Sequence, residues 1–243
     1  MSEAGSLSAV SVLALGFALG LKHAVEADHL AAVSTIVSER RSLWGASLVG
    51  GLWGVGHTIS LVVAGVAVVM FQFRIEGKLE RALEFSVGLM LVALGANALR
   101  KLARGGRLHL HVHQHGGREH IHPHVHDGTP ETDPQTHHGL RLVGTRPLLV
   151  GLLHGLAGSA ALMLLVLSTI SSKLIGLLYI IVFGVGSIGG MMLMSALFGL
   201  PVYLTAARFS RLNLAVRGLA AVFSLSFGLL MLYEIGFVGG LFR

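Results

Sequence analysis

Six apolar runs divided by short charged stretches and one long polar loop limit this chain more than any other feature. They cover about residues 8–37, 43–71, 82–99, 147–170, 174–200 and 212–236. Crossing the hydrocarbon of a bilayer takes roughly 20 apolar residues, so each run reads as a transmembrane helix. Of the 243 residues, 53% are hydrophobic and 12% charged, where a soluble domain carries about a quarter charged. Together these exclude a soluble enzyme, a disordered chain and a nucleic-acid module. The formal charge of +6 belongs to basic residues between the runs, where they act as topology signals and the bilayer is the partner. Cysteine is absent, so disulfides, thiolate metal sites and thiol redox chemistry are excluded as well. The start has neither a basic n-region nor a cleavage site, so the first run reads as a span and not as a signal peptide.

Counting Lys and Arg by side gives an orientation. The loops after runs one, three and five, with their flanks, hold twelve, among them Arg40, Arg41, Arg100, Lys101, Arg104, Arg146 and Arg208; the other side holds five, Arg74, Lys78, Arg81, Lys173 and Arg243. The positive-inside rule puts the long loop in the cytoplasm and both termini outside, in a multi-pass protein of the cell membrane. The second and fifth runs are over-long and glycine-rich, so they are expected to tilt or break, with Pro201 closing the fifth.

The halves resemble each other. Gly20-Leu-Lys-His23 aligns with Gly151-Leu-Leu-His154, and Gly54-Val-Gly-His57 with Gly184-Val-Gly-Ser187, at offsets of 131 and 130. Three spans per half is an odd number, so the halves insert with opposite orientation. The expected fold is an all-α membrane protein of six transmembrane helices in a 3+3 inverted repeat, the usual plan of secondary transporters. Residues 1–100 form the first repeat, 101–146 a His-rich cytoplasmic loop and 147–243 the second repeat.

The 14 histidines fall into two groups. Ten lie in the loop: His109, His111, His113, His115, His120, His122, His124, His126, His137 and His138. Spacing by two puts each block of four on one side of an extended chain, where neighbouring imidazoles can share a divalent metal; the alternative is a solvated linker that titrates near neutrality. Gly105-Gly106, Gly116-Gly117 and Pro123, Pro130 and Pro134 argue against a fixed fold for the loop.

The other four histidines, His23, His29, His57 and His154, sit inside apolar runs. Run one carries Lys22-His23-Ala24-Val25-Glu26-Ala27-Asp28-His29. A central Lys or Asp costs about 2.5–3.5 kcal/mol on insertion, so this cluster must face the bundle interior or water. Imidazole and carboxylate are a ligand set for nickel, cobalt, zinc or iron, which makes His23, Glu26, Asp28 and His29 candidate ligands, with His57 and His154 completing the shell. On an ideal helix His23 and Asp28 lie about 140° apart, and His23 and His29 about 120° apart the other way. Either the helix is interrupted here or only some of these residues bind at once. Lys22 is a counter-ion to Asp28 or snorkels to an interface.

His23-x4-Asp28-His29 resembles the HX4DH signature of the nickel/cobalt transporter (NiCoT) family, and Gly56-His57-Thr58 resembles the Gly-His-Ser/Thr segment of that family's next helix. With Leu30-Ala-Ala-Val-Ser-Thr35 following, the chain is most similar to the six-span urease-accessory branch. The resemblance implies a permease for Ni²⁺, with Co²⁺ as second cargo, in which His23, Asp28, His29 and His57 select and pass the metal. It implies no resident cofactor and makes nickel chaperones candidate partners. Two features depart from the pattern: larger members have eight spans, and the second half has His154-Gly-Leu-Ala-Gly-Ser159 in place of His-x4-Asp. The His-rich loop is also similar to bacterial nickel/cobalt exporters.

No Gly-x4-Gly-Lys-Ser/Thr phosphate loop is present, so an ion gradient, the membrane potential or a partner must drive transport. Uptake for urease or hydrogenase is the leading expectation and efflux the alternative. A membrane metalloenzyme is less favoured: Glu26-x-x-His29 fits a di-iron element, yet Glu84 and Glu234 have no paired His. Met191, Met192 and Met194 read as packing residues.

Overall fold

The first apolar run folds as two helices. In the computed structural model, which describes residues 9–40, 42–71, 77–104, 108–115, 118–125, 141–155, 170, 172–206 and 209–242, α1 spans Ala9–His23 and α2 spans Ala27–Val37. Their axes differ by 56°. No Gly or Pro lies at the break. Glu26 has extended backbone angles, φ −65° and ψ 148°. The turn closes with Val25 N donating to Lys22 O at 2.9 Å and Glu26 N donating to His23 O at 3.1 Å. The helix then restarts on an acidic first turn: the Asp28 carboxylate accepts the backbone N–H of His29 at 2.8 Å, satisfying one of the free donors of a helix start and lying where the helix dipole favours a negative charge.

The other spans are α3 (Leu43–Phe71), α4 (Gly77–Ala103), α5 (Arg141–Gly155), α6 (Lys173–Ala206) and α7 (Ser210–Tyr233), which ends in a π-turn over Glu234–Val238. Among the described residues four helices, α3, α4, α6 and α7, are long and apolar enough to cross a membrane, and the bent α1–α2 pair passes the same test when taken as one span. The protein is therefore a multi-pass membrane protein. The expected fourth span is described only to Gly155; its remainder lies outside the described residues.

Pro201 does not close the fifth run, contrary to expectation: α6 continues through it to Ala206. Proline removes one helix donor, the one that would serve the Leu197 carbonyl, and an interior proline is tolerated inside a bundle. Beyond it, Thr205 Oγ1 donates to Pro201 O at 2.7 Å and Asn213 Nδ2 donates to Val202 O at 2.9 Å, tying the last turn of α6 to itself and to α7.

The helices pack through glycine, and the same contacts occur twice. A Cβ on Gly20 would run into the Phe183 carbonyl of α6; one on Gly151 would run into the Trp53 carbonyl of α3. Gly186 lies against the Phe17 carbonyl of α1 as Gly56 lies against the Leu148 carbonyl of α5. Residues related by the sequence offsets thus make equivalent close approaches, α1 on α6 and α5 on α3. Lipid tails are as apolar as Leu, so such close backbone packing, not hydrophobic burial, holds spans together. Two hydroxyls add bonds: Ser224 Oγ donates to Leu91 O at 3.0 Å, and Thr35 Oγ1 lies 3.1 Å from Ala220 O. Met191 is buried in the core, and Met192 packs on Gly51, as expected of packing residues.

The loop departs from the expected lack of fixed structure. Leu108–His115 (β1) and Arg118–Val125 (β2) pair antiparallel, with His109 opposite His124, His111 opposite His122 and His113 opposite His120. Leu, Val and Ile between the histidines favour strands, and Gly116-Gly117 is a two-residue hairpin link by sequence. His126, His137 and His138 lie outside the described residues.

Candidate metal centre

The break in run one brings together residues that a straight helix keeps apart. His23 is the last residue of α1, and Asp28 and His29 open α2. His57 comes from the middle of α3 and His154 from α5. His29, His57 and His154 are 1%, 0% and 1% exposed, so each ring is committed to the interior. His23 Nε2 lies 3.0 Å from His57 Nε2. Asp28 bridges two rings: Oδ1 is 3.0 Å from His29 Nδ1 and Oδ2 is 2.9 Å from His154 Nε2. The ring centroids of His29 and His154 are 4.1 Å apart, and those of His23 and His29 are 4.3 Å apart.

Two groups of three emerge. His23, His29 and His57 form one; Asp28, His29 and His154 form the other; in each, one donor atom per residue lies within 4.8 Å of the others. His29 belongs to both. Two metal–donor bonds of about 2.1 Å meeting at a right angle put their donor atoms about 3.0 Å apart. The pairwise separations above are of that order, and the donor atoms of each group lie within 4.8 Å of one another. The separations also suit hydrogen bonds, so the site holds itself at coordination distance through its own contacts. His29 Nε2, His57 Nδ1 and His154 Nδ1 are buried with no partner among the described residues. Buried polar atoms of this kind normally have one; these three nitrogens are spread over the two groups and do not form a group of their own among the described residues. The C-terminal end of α1 also points its partial negative charge at this place.

No model of a protein family matches the chain, and no solved structure matches it. Two known proteins do. Urease accessory protein UreH of Bacillus sp. (strain TB-90) is 38% identical over 239 residues, covering 96% of each chain. The chain belongs to the UreH family. The high-affinity nickel transport protein of Cupriavidus necator is 26% identical over 110 residues, covering 38% of this chain and 31% of that one. These two relatives are, by name, an accessory protein and a transport protein, not enzymes.

Not every expected ligand reaches the centre. Glu26 belongs to neither group of three. Its carboxylate lies 3.0 Å from His23 Nδ1, behind the ring, where it fixes the orientation that turns Nε2 toward His57; metal-bound histidines commonly have such a partner. Lys22 is exposed, and Asp28 pairs with His29 and His154 instead of with it. Trp53, absent from the expected site, stacks on His29 with centroids 5.3 Å apart and lies 5.5 Å from His154. Its place one helical turn before His57 is the signal that marks it.

Proposed function

We propose that this protein is a secondary transporter that carries Ni²⁺, with Co²⁺ as a second cargo, across the cell membrane through the centre formed by His23, Asp28, His29, His57 and His154. The observation that carries this is the pair of three-donor groups joined at His29, built from four helices inside the bundle. Neutral imidazole and one carboxylate suit a borderline divalent ion, and the relative named as a high-affinity nickel transport protein agrees with that chemistry. His29 allows the ion to exchange one group for the other while keeping a ligand, so no step strips it bare.

The paired glycine contacts support a 3+3 inverted repeat with the site at its midplane, as the interrupted first span does. In the orientation favoured by the basic residues, the His-rich hairpin faces the cytoplasm, where it buffers metal and meets nickel chaperones. The direction we favour is uptake. A divalent cation gains about 4.6 kcal/mol per 100 mV of inside-negative potential, twice the single-charge value, which drives entry without a partner ion. The test is radionickel accumulation in cells lacking their own importer. Accumulation well above the empty control is expected. Cells that become nickel-resistant and accumulate less would reverse the direction, and no change in either sense would refute the transport role.

A further inference from the structure

Where α2 and α4 end and α5 begins lies a cavity of about 340 Å³ that is separate from the metal centre. Its rim is charged: Glu39, Arg40, Lys101 and Arg146 line it. Lys101 Nζ lies 2.9 and 3.1 Å from the two oxygens of Glu39, so these two charges cancel. Arg40 and Arg146 remain, a net charge of two positive at a mouth where the span of α4 finishes at Ala103. The apolar part of the lining, its floor, is Ile36, Leu94 and Val150, beside the polar side chains of Thr35, Asn97 and Thr145.

We propose that this cavity binds an anionic phospholipid, with its phosphate between Arg40 and Arg146 and the first part of an acyl chain on the apolar floor. Three arguments lead there. A cation is repelled by the uncompensated arginines. A small soluble anion has no use for the apolar floor. The end of a membrane span is the depth at which headgroup phosphates lie, and basic pockets between spans take anionic headgroups; the planar fork of arginine matches a phosphate's oxygens. The walls are α2, α4 and α5.

The test is native mass spectrometry of the full-length protein from mixed micelles of phosphatidylglycerol and phosphatidylcholine. The wild type is expected to retain phosphatidylglycerol preferentially. Arg40→Gln with Arg146→Gln should cut that retention at least fivefold, leaving phosphatidylcholine retention and Ni²⁺ binding unchanged, and Arg40→Lys with Arg146→Lys should restore it in part. Equal retention by the wild type and the Gln variant overturns the proposal. Displacement of the lipid by millimolar glycerol phosphate also overturns it, because the site would then be one for a soluble anion. Loss of Ni²⁺ binding in the wild type would sink the transport role and leave the lipid result standing.

Discussion

Replacing Asp28 by Asn keeps the shape of the side chain and removes its charge. The carboxylate touches two rings, at 3.0 Å on His29 and 2.9 Å on His154, and its group of three has donor atoms within 4.8 Å of one another. An ion among them lies within about 4 Å of the carboxylate charge. At that distance and an effective dielectric constant of 20, two unit charges interact by about 4 kcal/mol, and a divalent ion by about 8. The Asp28 side chain is 24% exposed. Halving the figure for the water that reaches it leaves about 4 kcal/mol, roughly a thousandfold in affinity. Removing a buried charge relieves an insertion cost of about 2.5–3.5 kcal/mol, so the variant should remain in the membrane at normal levels. Calorimetry with Ni²⁺ on purified protein reads the affinity, and radionickel accumulation reads transport. A dissociation constant within threefold of wild type, with transport intact, would refute the role given to this carboxylate.

Other substitutions separate the two groups of three. His57→Ala and His154→Ala each break one group and leave the other, so each should lower the initial uptake rate at least tenfold without removing all bound Ni²⁺, whereas His29→Ala should remove both binding and uptake; equal, mild effects from all three would contradict a shared ligand. Gly151→Leu forces a side chain onto the Trp53 carbonyl and should lower the melting temperature measurably, since overpacking costs typically 1–3 kcal/mol; Ser224→Ala loses one bond between spans, worth about 0.6 kcal/mol, and should hardly move it. Deleting 108–138 should leave uptake measurable but alter the metal concentration at which it responds; complete loss in a folded bundle would make the hairpin part of the pathway.

Much of the fold could be read from the apolar runs, because a bilayer allows few alternatives. The angular positions of His23, Asp28 and His29 leave two readings, an interrupted first run or a site that uses only some of them at once, and the structure has the interruption. Its position could not be read, since no Gly or Pro marks it and the turn at Ala24–Glu26 is made by backbone bonds. His57 was marked by a polar ring in an apolar run. Its contact with His23, and that of His154 with Asp28, join helices far apart in sequence and depend on glycine-mediated approach that no local pattern encodes. The local rule that proline ends helices does not hold at Pro201, where α6 runs on to Ala206 inside the bundle. In the loop, Gly and Pro argue against fixed structure, while the alternation of His with Leu, Val and Ile favours strands and is the better guide over 108–125.

The most direct test of the metal centre is X-ray absorption at the nickel edge on the full-length chain with all ten loop histidines replaced by Gln. Bound Ni²⁺ with a nitrogen and oxygen shell, showing imidazole scattering that disappears in His29→Ala, is the result expected. Protein that binds no Ni²⁺ once the loop histidines are gone, or whose bound Ni²⁺ is indifferent to His29→Ala, would contradict it.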